Sequence, residues 1–193
     1  DLLIAAAKRS LGTVELRLGN FDGSETLLKD VLQTTKKYAN DNYGIYSRGF
    51  AQYGLGDLEY ERENIQAAQE WYQKPLDTWQ DPVRKDPVRH VSYALNGLGF
   101  VALKEHRYEE AKRFFMEGIQ SAEEFGRVDE LAKGNLGLAS VYLETGSDLK
   151  TALTLINESI ESFQQQGMQY EIQKAKVLQE EILKSHPQIL TSQ

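Results

Sequence analysis

Apolar residues recur three or four positions apart along most of the chain, in amphipathic segments separated by polar or glycine-containing breaks. That spacing places them on one stripe of an α-helix, whose turn is 3.6 residues. The segments come in pairs, and four pairs align. The first reads Leu11-Gly12, Val14 and Leu16, then Phe21, Ser24, Leu28, Val31 and Leu32 beyond Gly19. The second reads Leu55-Gly56, Leu58 and Tyr60, then Ile65, Ala68, Tyr72, Pro75 and Leu76. The third reads Leu98-Gly99, Val101 and Leu103, then Tyr108, Ala111, Phe115, Gly118 and Ile119. The fourth reads Leu138-Ala139, Val141 and Leu143, then Leu149, Ala152, Ile156, Ser159 and Ile160 beyond Gly146. The small residues of the first halves fall at 12, 56, 99 and 139, in steps of 44, 43 and 40. Those of the second halves fall at 24, 68, 111 and 152, in steps of 44, 43 and 41. Two markers advancing together define a repeat, and each repeat is expected to be a helical hairpin whose small residues let its helices approach closely.

Leu-Gly, a turn, then Ala-x-x-x-aromatic resembles the tetratricopeptide repeat. Leu98-Gly99, Tyr108 and Ala111-x-x-x-Phe115 form the best copy, and Ala68-x-x-x-Tyr72 is a good one. The usual period of that family is about 34 residues. The longer steps here correspond to about one added turn per helix. HEAT and armadillo repeats share the longer period and are the competing assignment, but Gly, Ala or Ser at every small position favours the tetratricopeptide pattern. Long-helix arrays of this sort are similar to those of bacterial maltose-activator-type regulators, of signal-transducing ATPases with numerous domains, and of peptide-sensing regulators. The resemblance spans about residues 1–184. It implies an all-α fold, a right-handed α-solenoid of about four hairpins plus a C-terminal capping helix. Residues 1–186 then form a single superhelical domain, with repeats at about 1–40, 41–84, 85–126 and 127–166, a cap at 168–184 and a tail at 187–193.

The cap is expected from Ile172, Ala175, Leu178, Ile182 and Leu183, after which His186-Pro187 ends the pattern. Solenoids need such a cover over the last repeat. At the other end, Leu2 to Ala7 are apolar almost from the first residue, which predicts further chain ahead of them and offers a surface for self-association. Pro75 in the second helix of repeat two predicts a kink. Asp-Pro-Val-Arg occurs twice within 81–90, which reads as a longer, basic loop, with Asp86 capping and Pro87 opening the next helix.

The 193 residues are 26% charged and 40% hydrophobic, with net charge −7 and no Cys. Disulfides, thiolate metal sites and Cys nucleophiles are therefore excluded. An acidic surface repels phosphate backbones, so direct nucleic-acid binding is not expected. No apolar run approaches the roughly 18 residues of a membrane span, and a cytoplasmic location is expected. His90, His106 and His186 lie far apart, without metal-ligand spacing, and read as surface or turn residues. Gly54-Leu55-Gly56 and Gly97-Leu98-Gly99 lie inside helices rather than between strand and helix, so they are not phosphate loops. Carboxylate pairs such as Glu109-Glu110 are adjacent on a helix and do not face one another. No catalytic residue, cofactor or metal is expected, and the chain reads as a non-enzyme.

Binding is expected in the groove that first helices line in such arrays. Counting helical spacing from the small residues places Arg9, Phe50, Tyr53, Tyr93, Asn96, Phe100 and Lys133 there, with aromatics concentrated in the middle repeats. Leu16, Tyr60, Leu103 and Leu143 recur at one position and read as packing between repeats. Arg9 and Lys133 are placed to hold a carboxylate, while the Lys and Asn positions of the family's Hsp90-tail clamp are not reproduced. The expected function is a protein or peptide scaffold. The alternative is the sensing arm of a larger ATPase or transcriptional regulator.

Overall fold

The computed structural model describes residues 1–80 and 87–187, with the backbone alone at Pro87 and Val88. Its helices are α1 (Leu2–Arg17), α2 (Phe21–Thr35), α3 (Asn42–Glu61), α4 (Ile65–Trp79), α5 (Val91–Lys104), α6 (Tyr108–Glu124), α7 (Val128–Thr145), α8 (Leu149–Gln166) and α9 (Gln169–Ser185). Short 3-10 turns occupy Lys36–Tyr38 and Pro87–His90. Among the described residues there is no strand, and none of their helices is long and apolar enough to cross a membrane. The fold is an all-α solenoid, with neighbouring helices packed in succession. It divides into two compact units, Asp1–Val101 and Ala102–Gln193.

Within the first unit α1 packs on α2, α2 on α3, α3 on α4, and α1 also meets α3. The second-half small residues Ser24 and Ala68 are fully buried where α2 and α4 turn inward. Leu28, Val31, Leu55 and Leu58 fill the core around them. In the second unit α6 packs on α7, α7 on α8 and α8 on α9. Ala111 and Ala152 are again fully buried. Ile156, Phe163, Ile172, Ala175 and Ile182 join α8 to α9 in one core. Burial of side chains of this size contributes about 1.5–3 kcal/mol each.

The glycines inside the first helices set the packing. A Cβ on Gly12 would lie 3.1 Å from the Leu28 side chain, and one on Gly54 would also lie 3.1 Å from it. Tyr72 sits likewise between Gly56 and Gly97, where a Cβ would lie 2.5 and 2.6 Å from its ring. In the second unit a Cβ on Gly137 would lie 2.2 Å from Phe115. One large residue of each of α2, α4 and α6 therefore lies against glycine from its own hairpin, from the next, or both. Gly56 and Gly97 give Tyr72 that place on both sides.

Each hairpin closes with one left-handed residue seven positions after the small residue of its first helix. Gly19 and Gly146 supply it at φ 78° and 62° in the first and fourth hairpins. Glu63 and His106 hold the same conformation at φ 62° and 59° in the second and third. Side-chain caps fix the starts of α2, α3 and α8: Asn20 accepts from Gly23 N at 3.2 Å, Asp41 from Gly44 N at 2.9 Å, and Asp148 from Thr151 N at 3.1 Å. Helix α4 continues through the buried Pro75 to Trp79. Of the loop expected at 81–90, residues 81–86 with the Asp86 cap lie outside the described residues, as do residues 188–193 of the tail expected at 187–193.

Candidate functional site

The first unit gathers rings from two first helices, α3 and α5, and from their neighbours. Phe50 on α3 lies 4.8 Å from Tyr46, 5.2 Å from Trp79, 5.0 Å from His90 and 4.9 Å from Tyr93, centroid to centroid. Tyr53, one turn further along α3, lies 5.6 Å from both Tyr93 and Tyr72. Most of these pairs are tilted or edge-to-face, the arrangements that ring quadrupoles favour. Tyr46, Phe50, Tyr53 and Tyr93 are half-buried and so reach the surface. Trp79 is fully buried beneath them and reaches that place because Gly49 has no side chain: a Cβ there would lie 2.7 Å from the indole.

Arg9 of α1 completes the face. Its guanidinium lies 5.2 Å from the Tyr46 centroid and 5.1 Å from that of Phe50, within cation–π range. Its Nε is buried and has no hydrogen-bond partner among the described residues. Below, Tyr72 is buried and donates a 2.7 Å hydrogen bond to the Asp57 carboxylate. Burial first, and then the Asp57 charge, push its phenol well above the usual tyrosine range.

Of the expected site residues, Arg9, Phe50, Tyr53 and Tyr93 come together. Phe100 lies further along the helix against Tyr60, at 6.5 Å. Asn96 is 1% exposed and lies inside the first unit rather than on its face. Lys133 belongs to the second unit, where it donates to the carboxylate of the fully buried Glu130 at 2.6 Å. Sequence reasoning missed Tyr46, Trp79 and His90. Tyr46 stands four residues before Phe50, so carrying the stripe one turn back would have found it. His90, read as a surface or turn residue, is 6% exposed because Tyr46, Phe50, Trp79 and Tyr93 surround it.

The second unit carries an open cleft of about 390 Å³ between α8 and α9, lined by polar side chains such as Asn157, Gln164, Lys176 and Gln179 and holding none of these residues. Among the described residues no cluster of His, Asp or Glu has the makings of a metal site.

Residues 4–42, which hold α1, α2 and the entry to α3, match the family model of the tetratricopeptide repeat. Residues 4–42 carry a tetratricopeptide repeat. Among solved structures, that of BtubC (BKLC) from P. vanneervenii is similar with a TM-score of 0.65 at 16% identity. The likeness covers 86% of this chain and 66% of that one, just under two thirds of its length, and shows the shared helical-repeat fold. None of the curated proteins matches the chain. Tetratricopeptide repeats serve in general as helical scaffolds for protein interactions, and their fold is generally non-catalytic.

Proposed function

We propose that this tetratricopeptide-repeat chain is a non-enzymatic interaction module that holds a segment of a protein partner against the first unit, in a groove over α1, α3 and α5. The observation that carries this reading is the convergence of Arg9, Tyr46, Phe50, Tyr53 and Tyr93 from three first helices onto one half-buried face. Tyr and Phe provide large contact area at low conformational cost, which suits a recognition surface. The test is selection of binding peptides from a random library against the whole chain, followed by their titration against Phe50→Ala with Tyr93→Ala. Loss of binding by a folded double variant supports the groove. Undiminished binding removes it.

A second reading is favoured by α1 and the residue that caps it, which leave Leu3 80%, Ile4 58%, Leu11 48%, Val14 49% and Leu18 76% exposed. Ile4, Ala7, Leu11, Val14 and Leu18 alternate in steps of three and four, the seam of a helix that packs along another. Under this reading the chain is the sensing arm of a larger ATPase or regulator, with a helix of that protein on the seam. A second copy of the chain is the rival occupant. Light scattering separates the two: a monomer at all concentrations rejects the second copy, and a dimer that Leu11→Glu dissociates rejects the larger protein as the needed cover.

A further inference from the structure

We propose that the exposed stripe of α1 is a dimer interface, on which α1 of a second copy of this chain lies antiparallel across a two-fold axis beside Ser10. Of the two occupants named above for this seam, the second copy is the one that its side chains fit. The seam is independent of the groove, because Arg9 leaves α1 on the opposite side, toward Tyr46 and Phe50.

The repeat register shows what kind of surface the stripe is. Counted from the small residues at 12, 56 and 99, Ala7, Leu11 and Val14 of α1 are the counterparts of Ala51, Leu55 and Leu58 in α3 and of Ala94, Leu98 and Val101 in α5. All six counterparts are buried. Those of α3 share a core with Leu28 and Val31 of α2, the second helix of the hairpin before. In α1 the same three positions are exposed, and so are Ile4 and Leu18 beyond them. The stripe therefore continues the helix-on-helix interface that joins successive hairpins, with its cover missing among the described residues.

The cover differs from a second helix of the repeat in one respect. Such helices set a large side chain against the glycine two positions before the small residue: Leu28 against Gly54, Tyr72 against Gly97 and Phe115 against Gly137. A Cβ on these glycines would lie 3.1, 2.6 and 2.2 Å from those side chains. In α1 that position is Ser10. Its side chain fills the notch, so the helix that covers α1 must be small there. A second α1 meets this requirement. Turned antiparallel about an axis beside Ser10, it sets Ser10 against Ser10, Ala7 against Val14 and Ile4 against Leu18 of the other copy. The seam steps by three, four, three and four from Ile4 to Leu18 and so reads almost alike in either direction, as a surface shared by two identical copies must. Lys8 and Glu15 stand one heptad apart on one edge of the seam, and the same setting brings each toward the other in the second copy. Lys8 also bonds to Asp30 within its own chain, so this pairing sets direction more than strength. One helix pair lies at the low end of interface size, which makes the dimer reversible.

The experiment combines analytical ultracentrifugation of the whole chain over a dilution series with thiol cross-linking, for which the chain has no cysteine of its own. A monomer–dimer equilibrium is expected. Leu11→Glu, which places a charge in the seam, is expected to weaken it about 10-fold or more, while Phe50→Ala with Tyr93→Ala leaves it unchanged. With a short thiol cross-linker, Ser10→Cys is expected to give a covalent dimer. Leu18→Cys is expected not to link to itself but to link to Ile4→Cys when the two are mixed. Circular dichroism confirms that the variants are folded. A monomer at every concentration, or a dimer that Leu11→Glu leaves intact, overturns the interface. Failure of Ser10→Cys to link within the dimer, or linking of Leu18→Cys to itself, overturns the antiparallel pair. None of these results depends on whether a peptide binds the groove.

Discussion

The Tyr72 phenol donates a 2.7 Å hydrogen bond to the Asp57 carboxylate across the second hairpin, and both its ring and its hydroxyl are buried there. Burial and the Asp57 charge raise the phenol pKa in the folded state. A group whose folded pKa is raised contributes stability that is fully present below its unfolded pKa, near 10 for tyrosine, and is lost as pH climbs toward the folded value. Alkaline unfolding is therefore expected to set in above about pH 10, and Tyr72→Phe is expected to remove part of that pH dependence. At neutral pH the same substitution is expected to cost about 1–3 kcal/mol, because Asp57 loses a buried donor. Urea unfolding at neutral pH and in the alkaline range checks both.

The glycines against Tyr72 and Phe115 yield a packing prediction. Gly97→Ala and Gly137→Ala place a methyl group 2.6 and 2.2 Å from those rings, and each is expected to destabilise by about 1–3 kcal/mol. Phe115→Leu in the Gly137→Ala background is expected to recover part of the loss, since the two residues touch and their effects are not additive. Denaturation midpoints that do not move on Gly137→Ala would show that the notch is slack.

Glu63 and His106 hold left-handed conformations at the place where the first and fourth hairpins use glycine. A side chain there strains the backbone, and glycine relieves the strain at some cost in unfolded-state entropy. Glu63→Gly and His106→Gly are each expected to raise stability by about 0.5–1 kcal/mol, a gain visible as a higher denaturant midpoint at unchanged slope.

Arg62 ties α3 to α2 through Glu25, whose carboxyl is held below its usual pKa of 4.5 by the hydrogen bond from Lys29 and then by that from Arg62. A depressed carboxylate contributes stability above its unfolded pKa and loses it as pH falls through the lower folded value. The first unit is therefore expected to weaken below about pH 4.5, and Arg62→Ala is expected to flatten that acid limb. Thermal midpoints between neutral pH and pH 3 measure the difference.

Most of the fold was legible because the small residues at 12, 56, 99 and 139 and at 24, 68, 111 and 152 mark a periodic packing constraint that a single sequence displays by repetition. The preceding glycines at 54, 97 and 137 repeat just as regularly, yet their role was missed: it concerns the hairpin before, and reading each repeat alone hides it. The site was legible only in part. Arg9, Phe50, Tyr53 and Tyr93 follow from helical spacing, since that spacing fixes which way a side chain points. Trp79 and His90 lie at the end of a second helix and in a 3-10 turn, so no periodic rule leads to them. Asn96 shares a helix with Tyr93, but neighbours bury it, and burial is a property of the assembled unit.

In the proposed function a partner segment lies on the ring-lined face of the first unit. The most direct measurement places a photo-crosslinking amino acid at Tyr53, or at the exposed Val177 of α9 as control, in the chain expressed in its own cells. A discrete protein adduct is expected from position 53, absent from position 177 and lost when Phe50→Ala is added. Adducts from position 177 alone, or adducts from 53 that survive Phe50→Ala undiminished, would contradict it.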